Sequence, residues 1–235
     1  MIRKKFILYC YEALGLGIFM FSAGFFDAII DHPGLPVRQH ISSALIRRFL
    51  IGLSMGLTAL FILNSSFGKR SGAFINPAVT IVQWCLGKIN TSNAIFYCLF
   101  QFIGGSLGML AICLLMPKLM QDPAINYIVT VPGNEGVLIA FILEFLISFL
   151  LIVVVLFSSA DKKLSRYTAL FVAILITLFI TFEAPFSGMS MNPARTFASA
   201  IVANQWTNFW LYCTAPVLGM LIGGWCFKKF RKQRI

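Results

Sequence analysis

The chain has 235 residues, of which 11% are charged and 59% hydrophobic, with a mean hydropathy of +0.86. A soluble domain carries roughly 25% charged residues, so this chain lacks the polar side chains to cover a globule of its size, and disordered, collagenous and disulfide-scaffold chains are excluded on the same figures. The net charge of +11, from 19 Lys and Arg against 8 Asp and Glu, reads as an orientation signal at a bilayer and not as a nucleic-acid footprint.

Six long apolar stretches follow in chain order, at 6–29, 45–63, 94–116, 137–159, 167–182 and 209–227. Each is near the length that crosses about 30 Å of hydrocarbon as a helix. The runs are continuously apolar and do not alternate, which predicts helices and excludes a β-barrel. The first stretch follows Arg3-Lys4-Lys5 as a signal peptide would. It is too long for one, it contains Glu12, and no small-residue cleavage site follows, so a retained helix is expected. Within the spans, Gly52/Gly56, Gly104/Gly108 and Gly219/Gly223 have the four-residue spacing that lets helices approach closely.

An even number of spans returns both termini to one side. That side collects fourteen basic residues, from both ends of the chain and from the connections near Lys69, Arg70, Lys88, Lys162, Lys163 and Arg166. The other side holds Arg38, Arg47, Arg48 and Lys118. The positive-inside rule therefore predicts cytoplasmic termini for a multi-pass protein of the plasma or inner membrane. The polybasic tail serves this orientation, or binds anionic lipid.

The six cysteines lie in or beside apolar segments without CxxC spacing, and His32 and His40 are eight residues apart in one loop. No metal site, disulfide framework or cofactor is expected from them. No GxSxG, HExxH or P-loop pattern occurs, so an enzyme is not expected.

Two connections are too apolar for ordinary loops. They are Ser71-Gly72-Ala73-Phe74-Ile75-Asn76-Pro77-Ala78-Val79-Thr80 and Ser187-Gly188-Met189-Ser190-Met191-Asn192-Pro193-Ala194-Arg195-Thr196, identical at six of ten positions and 116 residues apart. Asn as N-cap with Pro at the first helical position starts a helix, here one too short to span. The duplication divides the chain into repeats of approximately 1–125 and 126–235. Each holds three spans, so the copies insert with opposite orientation. Two half-helices then enter from opposite faces and meet N-terminus to N-terminus near the midplane, around a wet cavity. The fold expected is an all-α membrane protein of six transmembrane helices and two re-entrant half-helices, as a single channel domain.

Glu12 and Glu144 fall early in the first helix of each repeat. A carboxylate in hydrocarbon is costly, and matching positions point to acceptors for the re-entrant loops, a proton relay being the alternative. Arg195 follows the second Asn-Pro-Ala directly, where the first repeat has Val79. It either snorkels to the interface or stands as a fixed cation in a narrow pore.

On these residues the sequence resembles the aquaporins, the major intrinsic protein family. The resemblance covers nearly the whole chain and rests on both Asn-Pro-Ala motifs, the Ser-Gly before each, Arg195, Glu12, Glu144 and Gln101-Phe102-Ile103-Gly104-Gly105. It implies a passive channel for water, open also to small neutral solutes such as glycerol, urea, ammonia or peroxide. It further implies exclusion of protons and ions, and a homotetramer with one pore per subunit. It places a filter at Arg195, Met189, Ile180 and Gly56, or Met55 with a one-residue shift. There the chain departs from the family pattern, which has His at the Ile180 position, Phe or Trp at the Gly56 position, and His where Phe74 stands. Thr196, Ala200 and Tyr212 fit the water-type pattern, and Cys213 fits neither type. An ion-coupled transporter, which also uses inverted repeats and broken helices, would have Glu12, Glu144, Glu183 and Asp27 as its coupling candidates.

Overall fold

The computed structural model describes residues 2–232; Arg234 of the basic tail lies outside them. Six long helices run at α1 (Ile2–Asp31), α2 (Ala44–Asn64), α4 (Thr91–Leu115), α5 (Val137–Ala160), α6 (Thr168–Phe182) and α8 (Phe209–Lys232). All six carry a stretch long and apolar enough to cross a membrane. Among the shorter helices between them are α3 (Pro77–Cys85) and α7 (Pro193–Ala203). Each half thus reads long, long, short, long.

Their outward faces are aliphatic and aromatic. Leu114 and Leu138 are 74% and 71% exposed, which suits a hydrocarbon solvent and would be costly over so wide an area in water. The chain is a multi-pass integral membrane protein.

Three long-helix pairs make the main contacts: α1 with α4, α5 with α8, and α2 with α6. Each uses one glycine pair. A side chain at Gly104 or Gly108 would enter the α1 backbone at Ala13 or Gly17, and one at Gly219 would enter the Phe145 carbonyl of α5. At Gly56 it would lie 2.5 Å from Thr177 Oγ1 and 2.6 Å from the Ala173 carbonyl of α6. Thr177 Oγ1 donates to the Gly52 carbonyl across the same seam at 3.1 Å. With no hydrophobic drive between helices in lipid, such close backbone approach supplies the packing energy.

The short helices begin as their sequences predict. Asn76 and Asn192 are extended N-caps whose side chains accept from Ala78 N and Ala194 N, with Pro at the first helical position. Helices of nine and eleven residues are about 14 and 16 Å long, so together they match the hydrocarbon thickness that neither crosses alone. α3 packs on α8 and α4, α7 packs on α4 and α8, and the two touch each other.

Overpacking a core seam typically costs about 1–3 kcal/mol and more where backbone must move. Gly104→Val is therefore expected to lower the thermal midpoint in detergent sharply or abolish the monodisperse peak. Leu114→Val, on the exposed face, should leave both unchanged in fluorescence-detected size exclusion.

Candidate functional site

The loops before α3 and α7 have one design. After Ser71 and Ser187 the chain turns at Gly72 (φ 95°) and Gly188 (φ 80°), in the left-handed region. Four non-glycine residues share that region: Ala73 at 45°, Ile75 at 40°, Met189 at 46° and Met191 at 54°. Such residues cost about 1–3 kcal/mol each and persist only where their surroundings hold them.

Glu12 and Glu144 hold them. Both are fully buried. Glu12 accepts from Phe74 N at 3.2 Å and Ile75 N at 2.6 Å. Glu144 accepts from Ser190 N at 2.6 Å, Met191 N at 2.8 Å and Ser187 Oγ at 2.9 Å. In the first half Gln101 Nε2 donates to Glu12 at 2.8 Å. Ser71 Oγ and Ser187 Oγ accept from Ala73 N and Met189 N, each at 3.1 Å. Finally Tyr97 donates to the Ser71 carbonyl at 2.8 Å and Tyr212 to the Ser187 carbonyl at 2.5 Å. Tyr97 is a brace that sequence reasoning missed. Its signal is the spacing of 115 residues to Tyr212, almost that of the two motifs.

The loop tips lock into each other. Asn76 Nδ2 donates to the Met191 carbonyl at 2.7 Å, and Asn192 Nδ2 donates to the Ile75 carbonyl at 2.8 Å. A carboxamide has two N–H groups, so each Asn keeps one for the cavity that both border. Pro77, Ala78, Pro193 and Ala194 are buried behind the tips and set the half-helices' direction and close packing without bordering that cavity.

The cavity has a volume of about 480 Å³. Long helices line it with apolar stripes at helical spacing: Leu16, Phe19 and Ala23 from α1, Ile51, Met55, Ala59 and Leu63 from α2, Leu151 and Val155 from α5, and Val172, Ile176 and Ile180 from α6. The re-entrant loops supply the polar side. Gly72, Ala73, Phe74, Gly188, Met189 and Ser190 border the cavity. Their carbonyls accept no hydrogen bond among the described residues. One end is reached by Lys88 and the other by Arg195. Burial, and then the charge of Arg231, lowers the Lys88 pKa from its ordinary value.

Comparison with known proteins agrees with this architecture. The profile of the family described as Major intrinsic protein matches residues 10–227. The chain belongs to the major intrinsic protein family. It is 32% identical over 178 residues to "Aquaporin-4" of Mus musculus, covering 74% of this chain and 54% of that protein. To "Aquaporin NIP1-2" of Arabidopsis thaliana it is 31% identical over 186 residues, covering 77% and 62%. The chain spans about half the length of the aquaporin-4 relatives it matches. Its fold is shared with the X-ray structure of the aquaglyceroporin from Plasmodium falciparum, with a TM-score of 0.83 at 21% identity and 96% of each chain covered.

Of the residues that the family pattern assigns to a filter, Arg195, Met189 and Ile180 border the cavity together, and Gly56 does not. Gly56 is used up in the seam with α6, where no side chain fits. Because Gly52 and Gly56 must face α6, their neighbours Ile51 and Met55 turn to the cavity. A Cβ at Gly52 would lie 3.3 Å from Ile180 Cβ, which sets Ile51 at the level of Ile180 and Met55 one turn deeper. The alternative at Met55 thus has the right face, and the family-spaced position Gly56 has the wrong one.

Arg195 Nη1 donates to the Ile128 carbonyl at 2.9 Å. Ile128 belongs to an outer turn, Asn126–Ile128, whose three residues all have positive φ. The turn is tied to the segment just after α7 by Asn126 Nδ2 donating to Gln205 at 3.1 Å, and Thr130 bonds Thr196 of α7 at 2.8 Å. No motif announced this turn.

Glu144→Leu would leave two buried backbone N–H groups without partners, at about 1–3 kcal/mol each, and Tyr212→Phe removes one bond worth about 1 kcal/mol. The expected order of thermal midpoints in detergent is wild type, Tyr212→Phe, Glu144→Gln, Glu144→Leu, from highest to lowest. Equal midpoints for wild type and Glu144→Leu would remove the loop-holding role.

Proposed function

We propose that this chain is a passive channel for water that also admits small neutral solutes, with Asn76 and Asn192 at its midpoint and Arg195, Met189, Ile180 and the Ile51/Met55 face of α2 as its filter. The observation that carries this reading is the cavity's division into two walls. One, from the long helices, is apolar over its middle, with Asp27, Ser159 and Thr168 toward the helix ends. The other presents six unpartnered carbonyls and the free N–H of each central Asn. A molecule in such a passage can bond only to one side, which gives a defined single file and little to bind too tightly.

At the centre a water accepts from both Asn amides. Its own two hydrogens then point outward along the passage, toward the carbonyls of the two loops. No hydrogen-bond chain of one polarity runs through, and the relay of a proton stops there. The N-termini of α3 and α7 both point at this spot, and their partial positive charge opposes cations. Arg195 adds a full charge at the outer end. Over its middle the apolar wall offers an ion nothing to replace its hydration, and burying a bare ion costs many kcal/mol.

The filter residues are aliphatic where the family pattern has an aromatic ring and His. This favours glycerol, and a small-solute facilitator with minor water flux is the second reading. An ion-coupled transporter is less favoured, because Glu12 and Glu144 are occupied by the loop N–H groups and do not border the cavity. By the excess of basic residues on one side we place both termini in the cytoplasm. From the family resemblance we propose a homotetramer with a pore in each subunit and no cofactor.

In proteoliposomes, stopped-flow light scattering should give water permeability well above that of empty vesicles, and equality with empty vesicles would overturn the channel. Arg195→Val should raise proton and cation leak measured with a pH-sensitive dye. Ile51→Phe should narrow the passage beside Ile180 and lower glycerol flux more than water flux, whereas Gly56→Phe should fail to give folded protein.

A further inference from the structure

The α1 stripe that lines the cavity is Leu16, Phe19, Ala23 and Asp27, one face of the helix at spacings of three and four. Three members are apolar and the fourth is a carboxylate. Asp27 has no role in the loop architecture. Its side chain enters no hydrogen bond and no ion pair among the described residues, in contrast to Asp31 one turn later, which takes Arg47 Nε at 2.5 Å and Arg38 Nη1 at 3.9 Å. The two nearby cations are thereby committed elsewhere.

Arg195 borders the same outer section of the cavity. Its guanidinium donates to the Ile128 carbonyl, and no carboxylate stands within ion-pair distance of it among the described residues. An acid and a base therefore face one volume without closing on each other. Other residues at that end, Ile51, Ile180, Ala184 and Met189, contribute aliphatic or thioether side chains that cannot hydrogen-bond strongly. Two opposite charges left apart among apolar side chains form a donor–acceptor site: the guanidinium donates, the carboxylate accepts.

We propose that Asp27 is a specificity-determining residue of the outer filter, which with Arg195 binds small neutral solutes carrying both an acceptor and donors, such as urea and glycerol. The solute carbonyl or hydroxyl oxygen accepts from Arg195, and its N–H or O–H groups donate to Asp27. Water gains less, because urea and glycerol each carry several donors and acceptors with which to engage both groups at once. This rests on the channel reading above and names the solute chemistry that its filter selects.

The test measures water, urea and glycerol permeability in parallel on proteoliposomes of the wild type, Asp27→Leu, Asp27→Ala and Asp27→Asn, each verified as monodisperse. Losing one charged acceptor is expected to lower the urea/water and glycerol/water permeability ratios about tenfold in Asp27→Leu. Asp27→Ala should give the same loss and serves if the Leu variant does not fold. Asp27→Asn, which keeps an acceptor oxygen in the same shape, should hold the ratios within about threefold of wild type. Unchanged ratios in the Leu and Ala variants overturn the proposal, as does an equal fall of all three fluxes. A wild type that passes water but neither solute overturns it while leaving the channel intact. A wild type that passes none of the three fails as a channel altogether.

Discussion

Two buried carboxylates hold backbone where no regular structure could exist. Glu12 and Glu144 stand in the spans and take the N–H groups of the loops that precede α3 and α7. Taking a carboxylate out of water costs several kcal/mol, and charge-assisted hydrogen bonds return about 1.5–3 kcal/mol each. The two sides are of similar size, so each Glu is tolerable only because the loop is there, and each loop only because the Glu is. The left-handed residues depend on this mutual support. So does the direction of the carbonyls: with its N–H turned to a carboxylate behind it, the loop backbone is left with its C=O groups toward the cavity.

The glycine seams play the complementary part for the long helices. A glycine pair dictates which face of a helix meets its partner, and so which face is left over. In α2 the pair Gly52 and Gly56 is pressed on α6, and the adjacent positions Ile51 and Met55 line the cavity as a result. The composition of the proposed filter is in this sense a by-product of packing. A position that family spacing assigns to the filter is here spent on the seam, and the aliphatic neighbours take its place.

The passage has a chemical asymmetry from wall to wall and another from end to end. Across its width, spans supply hydrocarbon and loops supply acceptors. Along its length, Lys88 reaches one mouth, the Asn amides the centre, and Arg195 and Asp27 the other mouth. Arg195 is not simply a charge at a helix start. The outer turn at Asn126–Ile128, strained at three consecutive residues and tied back to α7, gives its guanidinium a fixed partner.

Much of this was legible in the residues. Hydropathy runs located all six spans to within a few residues, because hydrocarbon thickness leaves a helix little choice of length. Asn-Pro pairs marked both half-helix starts, because a side-chain cap and a missing N–H are local facts. The matching Glu12 and Glu144 could be assigned to the loops, because a carboxylate in lipid must have partners and the two stand at the same place in each repeat. What the sequence could not carry were relations across helices. It did not say that Tyr97 braces a loop, that Ile128 holds Arg195, that Gly56 faces α6, or that Asp27 ends a cavity-lining stripe. Each of these depends on the rotation of one helix against another. That rotation is decided by close packing over whole faces, which a single chain position does not encode; only the tertiary structure sets which of a helix's sides becomes the wall of the passage.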